Sequence, residues 1–155
     1  MKSSPYITVE GMVRLNEELE ERWQRRRDVV KALSAAAAEG DRSENAEYIY
    51  RKKELKGIDR RIRYLQKRMP DLRVVSDKPD VQEVIFFAAR VTLETEAGDE
   101  VEYRIVGPDE IDHEKGNISL DSPLAQALLK KQVDDEVTIH IKQGRKTYAI
   151  LAVHY

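Results

Sequence analysis

Two apolar stripes, set almost back to back in the first half of the chain, constrain this protein more than any other feature. Met12, Leu15, Leu19, Val29, Leu33 and Ala36 fall on alternating three- and four-residue steps, with Arg22 and Arg26 filling two seam positions. Trp23 and Val30 are expected to widen that stripe. Tyr48, Leu55, Ile58, Ile62, Leu65 and Met69 then step by seven, three, four, three and four, which is an a/d seam. The stretch from Met12 to Met69 is nearly free of Gly and Pro. Thr8 is a plausible N-cap, Gly40 a C′ stop, and Pro70 ends the second pattern. Ala35 to Ala38 narrow the first helix and allow a partner to approach closely. Two helices of roughly 25–30 residues joined by so short a connection must reverse on each other. The spacing predicts an antiparallel coiled coil with an arm of about 40–45 Å.

The remainder of the chain has a different character. Of 155 residues, 36% are charged, yet the net charge is only −2. That balance conceals an asymmetry: residues 1–79 carry a net +5 and residues 80–155 a net −7. Such a difference predicts two modules with different partners, 1–79 and 80–155. In the second half, Ile85 to Thr95 and Glu100 to Val106 are strand-like around an Ala97-Gly98-Asp99 turn. Asn117 to Leu120 reads as a short strand. Ser122-Pro123 opens a short helix through Leu129, with Asp121 or Ser122 as its cap. Glu136 to Ile141 and Thr147 to Val153 form a second hairpin around Gln143 to Lys146. The fold class expected is therefore α+β: an N-terminal antiparallel α-helical coiled-coil hairpin followed by a small β-rich domain.

Composition excludes several chemistries. The chain has no cysteine, so a disulfide scaffold, a Cys-ligated zinc site, an iron–sulfur cluster and a cysteine nucleophile are ruled out. His113, His140 and His154 are widely spaced and suggest no Ser/His/Asp constellation. No run approaches the roughly 18 apolar residues of a membrane span. Residues 1–5 place no apolar stretch behind Lys2, so no secretory signal and no membrane partner are expected, and a cytoplasmic location is.

The segment between the helices reads Gly40-Asp41-Arg42-Ser43-Glu44-Asn45-Ala46-Glu47-Tyr48. Asp41 and Glu44 fit a capping box, with Ser43 an alternative cap. The same two carboxylates, at the end of a long rod, could lend oxygen ligands to a hard cation such as Mg²⁺. Two acids make no closed cage, so other ligands would come from a partner. Ser43 and Asn45 could support the tip through hydrogen bonds or serve as caps. Past the tip, nine basic residues fall between Arg51 and Arg68, against Glu54 and Asp59. Lys53, Lys56 and Arg60, then Arg60, Arg63 and Lys67, share a helical face. Such a stripe suits phosphates without sequence preference, or is simply a solvated flank.

These residues resemble the bacterial Gre transcript cleavage factors. The tip segment carries the likeness, with Ile58 to Leu65, Arg104 to Gly107, Ile118 to Pro123 and Ala127 to Lys131. The Arg-Ser-Glu-Asn tip and dense basic helix are closer to the GreB branch than to GreA. Glu47 stands where many members have Asp. The resemblance implies that the second domain is FKBP-like and docks through Asp121, Ser122 and Pro123 on the rim of the secondary channel of bacterial RNA polymerase. It implies that the coiled coil enters the channel. There Asp41 and Glu44 would help hold a shared Mg²⁺, with no stably bound cofactor of the chain's own. Arg51, Lys52, Lys53, Lys56, Arg60 and Arg61 would follow the nascent RNA 3′ end. The chain would act as a monomer that stimulates the polymerase's own cleavage of backtracked RNA without being an enzyme itself. Competing readings are a non-catalytic channel regulator, a plain RNA-binding coiled coil, and a prolyl isomerase. The last needs an aromatic-lined pocket. Residues 80–155 offer only Phe86, Phe87, Tyr103, Tyr148 and Tyr155 toward one.

Overall fold

A computed structural model describes residues 3–39 and 45–155. The described chain forms two compact units, residues 12–72 and residues 1–11 with 73–155.

The first unit is the helical hairpin. Helix α1 runs Val9–Ala37, its first turn belonging to the other unit, and α2 runs Ala46–Arg68. Val29, Ile58 and Ile62 form its buried centre, with Leu19 and Leu55 packed against them. Among the described residues, ion pairs cross between the helices: Glu18 with Arg61, Arg25 with Glu54, and Arg26 with Asp59. Higher positions on α1 meet lower positions on α2, which is the antiparallel pairing the stripes predict. The two seam arginines are explained by these pairs. Arg26 reaches Asp59 at 2.7 Å, while Arg22 turns back to Glu18 at 2.6 Å. Trp23 and Val30 do not widen the seam. They lie on a flank and remain exposed, because a two-helix contact buries only one narrow stripe on each helix.

The second unit is built on a five-stranded sheet. Its strands are β3 (Arg90–Thr95), β4 (Glu100–Val106), β5 (Asn117–Ser119), β6 (Glu136–Ile141) and β7 (Gly144–His154). The order is β5-β4-β3-β7-β6, with β4 and β5 parallel and the other neighbours antiparallel. Short helix α3, Pro123–Leu128, packs on β6. The core gathers Ile85, Val91, Leu93, Ile105, Leu128 and Ile150, all essentially inaccessible to water.

Two sequence expectations for this unit change. The strand expected from Ile85 begins only at Arg90. The backbone N–H and carbonyl of Ile85 bond instead to Lys131 and Lys130, and Ala88 adopts the left-handed region at φ 74°. The second hairpin turn is tighter than expected, since Ile141 already pairs with Gly144.

A further feature had no signal in the hydrophobic pattern. Strands β1 (Tyr6–Thr8) and β2 (Arg73–Val75), distant in sequence, pair in parallel. They lie in the β-rich unit, so packing does not divide the chain at 79/80 where the charge changes. Buried Glu110 fastens this corner. Its carboxylate accepts from the N–H of Thr8 at 3.0 Å, the N–H of Gly107 at 2.7 Å and the Thr8 hydroxyl. The Thr8 hydroxyl in turn caps α1 by accepting from the Gly11 N–H at 3.0 Å. Two glycines are required here. A Cβ on Gly11 would sit 2.0 Å from a Glu110 carboxylate oxygen, and one on Gly107 would sit 1.9 Å from the Tyr6 carbonyl.

Candidate nucleic-acid interface

Among the described residues, Asn45 links the two helices at the end away from the β-rich unit's segments. Asn45 is the N-cap of α2 and accepts from the Tyr48 N–H at 3.1 Å. Its amide also donates to the Ala36 carbonyl at 2.7 Å, near the end of α1. One residue thus satisfies an orphan donor of α2 and adds a second hydrogen bond to an α1 carbonyl that already accepts from the Glu39 N–H at 3.2 Å. Of the caps the sequence offers, Asn45 is the one that stands at the start of α2, in place of the Asp41 capping box. Asp41, Ser43 and Glu44, with the expected Gly40 stop, lie outside the described residues. Among the described residues, no group of three or more His, Asp or Glu side chains is placed to hold a metal. The histidines are exposed and separate, as their spacing suggested.

The basic residues of α2 divide into two kinds. Arg51 and Arg61 are engaged within the hairpin. Arg51 pairs with Glu47 at 2.8 Å and Glu54 at 2.9 Å. Arg61 makes a two-pronged contact with Glu18, at 2.7 and 2.9 Å. Those hydrogen bonds from Arg61, joined by Arg22, hold the Glu18 carboxyl down at about 2 despite partial burial. Lys53, Lys56, Arg60, Arg63 and Lys67 stand exposed on the outer side, and Lys52 lies 5.9 Å from the Tyr48 ring centre. The structure therefore offers Lys52, Lys53, Lys56 and Arg60 to an outside anion more readily than Arg51 or Arg61. Gly57 sits amid them in mid-helix, with nothing within 4 Å of where a Cβ would be. A glycine there costs about 1 kcal/mol relative to alanine.

In the β-rich unit, Ser122 caps α3 by accepting from the Ala125 N–H at 3.2 Å, and Pro123 occupies the first helical position. Asp121 is tied to the N-terminal segment, accepting from the Ser4 N–H at 2.9 Å and from its hydroxyl. Pro123 and Asp121 are both exposed, on a loop fixed from behind by these bonds. Sequence reasoning missed a nearby feature. A cavity of about 250 Å³ is lined by Thr8, Glu10, Lys78, Arg90 and Arg104, among others. Arg90 and Arg104 become neighbours only through the β3–β4 register, so spacing carried no hint of it.

The described chain is thus a helical hairpin with one basic flank, joined to a small β-rich unit. Comparison with known families makes that specific. The N-terminal domain model of the transcription elongation factors matches residues 5–74, and the GreA/GreB C-terminal model matches residues 79–155. The chain is 56% identical to transcription elongation factor GreB of Xanthomonas axonopodis pv. citri, covering 99% of this chain and 93% of that one. It is 50% identical to GreB of Pseudomonas aeruginosa, over 98% and 91% respectively. Among solved structures it aligns with Gfh1 of Thermus aquaticus at 25% identity and a TM-score of 0.46, covering 99% and 100%. The chain belongs to the GreA/GreB family of transcription elongation factors, and within it is most like GreB.

Proposed function

We propose that this elongation factor enters the secondary channel of bacterial RNA polymerase. There it stimulates the polymerase's own Mg²⁺-dependent cleavage of backtracked RNA. The observation that carries the reading is the Asn45 clip. It holds the ends of α1 and α2 together, so that the segment bearing Asp41 and Glu44 is presented from a fixed base. Helix α2 alone measures about 35 Å, long enough to bring that segment to a recessed site. The donor set fits a hard cation: two carboxylates suit Mg²⁺ and leave most of its coordination to other ligands. When bound, the metal supplies charge stabilisation for phosphodiester hydrolysis. Asp41 and Glu44 contribute acceptor oxygens that orient water and metal, with Ser43 alongside as tip support. Lys52, Lys53, Lys56 and Arg60 hold the extruded strand by its phosphates. Asp121, Ser122 and Pro123 form the docking loop, kept in shape by the α3 cap and the tie to Ser4. The protein acts as a monomer, adds groups to the polymerase's active site and is not itself an enzyme.

The test uses a stalled, backtracked polymerase complex with Mg²⁺. The wild-type chain should shorten the transcript. Asp41→Ala with Glu44→Ala should abolish shortening while polymerase binding persists. Undiminished cleavage by the double variant would remove the carboxylates from the mechanism. Binding without cleavage by the wild type would favour a non-catalytic channel regulator.

A further inference from the structure

The cavity beside the start of α1 lies wholly within the β-rich unit and has no part in the function proposed above. Two of its cations are brought together by register alone. Arg90 on β3 stands directly opposite Arg104 on β4, and both side chains line the cavity. Like charges in opposed positions repel, so the sheet carries a cost there that an anion between them would relieve. Among the described residues, no carboxylate makes an ion pair with Arg90. Arg104 has Glu10, whose Oε2 lies 3.7 Å from its Nη2. That is beyond hydrogen-bond reach, and the Glu10 side chain is 63% exposed. Glu10 folds back instead on its own backbone N–H. That bond, then Arg104 and more weakly Arg90, hold its carboxyl below the ordinary value. The recess is built in advance of any ligand. Arg104 is only 15% exposed, and its Nε donates to the Ala88 carbonyl at 3.3 Å. Tyr155, which also lines the cavity, is pinned through its hydroxyl. That oxygen accepts from the Phe86 N–H and donates to the Val84 carbonyl, both at 2.7 Å.

We infer that this recess binds the terminal phosphate of a small molecule, and that Glu10 is the stand-in anion the phosphate displaces. The guanidinium groups of Arg90 and Arg104 present forked donors to phosphate oxygens, and Lys78 adds a point charge. Displacement also frees the Glu10 N–H in the first turn of α1, where the helix end itself favours an anion. Charge selects a phosphate over a single carboxylate. Once Glu10 is turned out, the lining keeps Lys78, Arg90 and Arg104 against Asp77 alone, which suits a dianion. Size selects a small molecule over a polymer. The volume of about 250 Å³ has room for a phosphate and a group attached to it, and none for a strand of nucleic acid. Phe87 and Tyr155 offer that attached group an aromatic wall. The ligand is therefore inorganic diphosphate or a nucleoside 5′-diphosphate, which share a terminal phosphate.

The closing experiment titrates the full chain with inorganic diphosphate and, separately, with ADP, by calorimetry at low salt without Mg²⁺ or polymerase. The wild-type chain should bind at one saturable site. Glu10→Gln should bind several-fold more tightly, because the competing carboxylate is gone. Arg90→Gln should bind at least tenfold more weakly, yet melt at or above the wild-type temperature, because the repulsion across β3 and β4 is relieved. Lys142→Gln, the same loss of charge on the β6–β7 turn, should bind as the wild type does. Tighter binding of ADP than of diphosphate would assign the base to the Phe87–Tyr155 wall. Equal binding of the two would mean that the phosphate alone is read, and both outcomes support the site. An absence of saturable binding by both the wild type and Glu10→Gln would overturn it. A loss in Lys142→Gln equal to that in Arg90→Gln would mark diffuse attraction to basic surface and also overturn it. So would Glu10→Gln binding no more tightly than the wild type. Polymerase is absent throughout, so each of these failures leaves the proposed function standing.

Discussion

The described hairpin buries Leu15, Val29, Ala36, Ile58, Ile62 and Leu65 in a narrow seam and adds a set of half-exposed ion pairs to hold two long helices together. In the β-rich unit, ten buried side chains fill one continuous core, and a buried carboxylate fastens the N-terminal corner. The first arrangement spreads stability thinly along a rod, with solvent reaching most of its polar contacts. The second concentrates it, and its Glu110 fastening is cut off from water. An equivalent lesion should therefore be felt very differently in the two units. Removing an acceptor from a buried cluster strands its donors, whereas removing one from a surface pair returns its partner to water.

The sharpest way to break this contrast is Glu110→Ala. The buried N–H groups of Thr8 and Gly107 would lose their acceptor, and the cap on the first turn of α1 would lose its anchor. A loss of about 3–5 kcal/mol is expected in denaturant unfolding of the full chain. Faster amide exchange should be confined to β1, β2 and the start of α1. Glu110→Gln keeps the shape but sets an amide NH₂ against a donor, so it should fall between. If Glu110→Ala costs less than about 1 kcal/mol, the clasp is not what fastens the corner.

Next in size is Ile62→Ala, which opens a hole in the narrow hairpin seam. The expected cost is about 2–4 kcal/mol, with exchange rising in the middle of α1 and α2 while the sheet is unaffected. Asn45→Ala comes third. It removes the α2 cap and the bond to the Ala36 carbonyl, for about 1–2 kcal/mol. Because that bond joins the two helices, cleavage of backtracked RNA should fall by more than the stability change explains. Normal cleavage by a folded Asn45→Ala chain would show that the clip does not serve the tip.

The two units also differ in how far they could be read beforehand. The hairpin was legible because its seam repeats: Ile58, Ile62 and Leu65 are buried where the 3/4 steps put them. What the period cannot carry is which polar residue wins a cap. Asp41, Ser43 and Asn45 all have the chemistry, and Asn45 takes the place, with its amide on the Ala36 carbonyl as well. Nor does local spacing say which cations are engaged. Arg61 and Arg60 are adjacent, and only the former faces Glu18, forty-three positions away. In the sheet, β4 and β6 have the limits their alternation predicts, and Ser122-Pro123 starts α3 as its chemistry demands. The β1–β2 pair and the Glu110 clasp were invisible because they join segments some sixty-seven and one hundred and two positions apart. A three-residue strand has too few alternations to stand out, and a lone Glu reads as a surface residue.

The smallest effect belongs to Glu18, the surface counterpart of Glu110. Its carboxyl is held at about 2, against an ordinary value of 4.5, by hydrogen bonds from Arg61 and then from Arg22. A carboxylate with a depressed value stabilises the fold fully above its ordinary range. That contribution drains away as acid protonates it, between about pH 4.5 and pH 2. Water and salt screen the pair, so the loss should stay under about 1 kcal/mol and shrink further at high ionic strength. The measurement is wild type against Glu18→Gln, each unfolded by denaturant at pH 6 and again near pH 2.5. The wild-type advantage should be present at the higher pH and largely gone at the lower. An advantage that persists at low pH would mean that Glu18 acts through packing. One as large as the Glu110 effect would erase the distinction between the rod and the clasp.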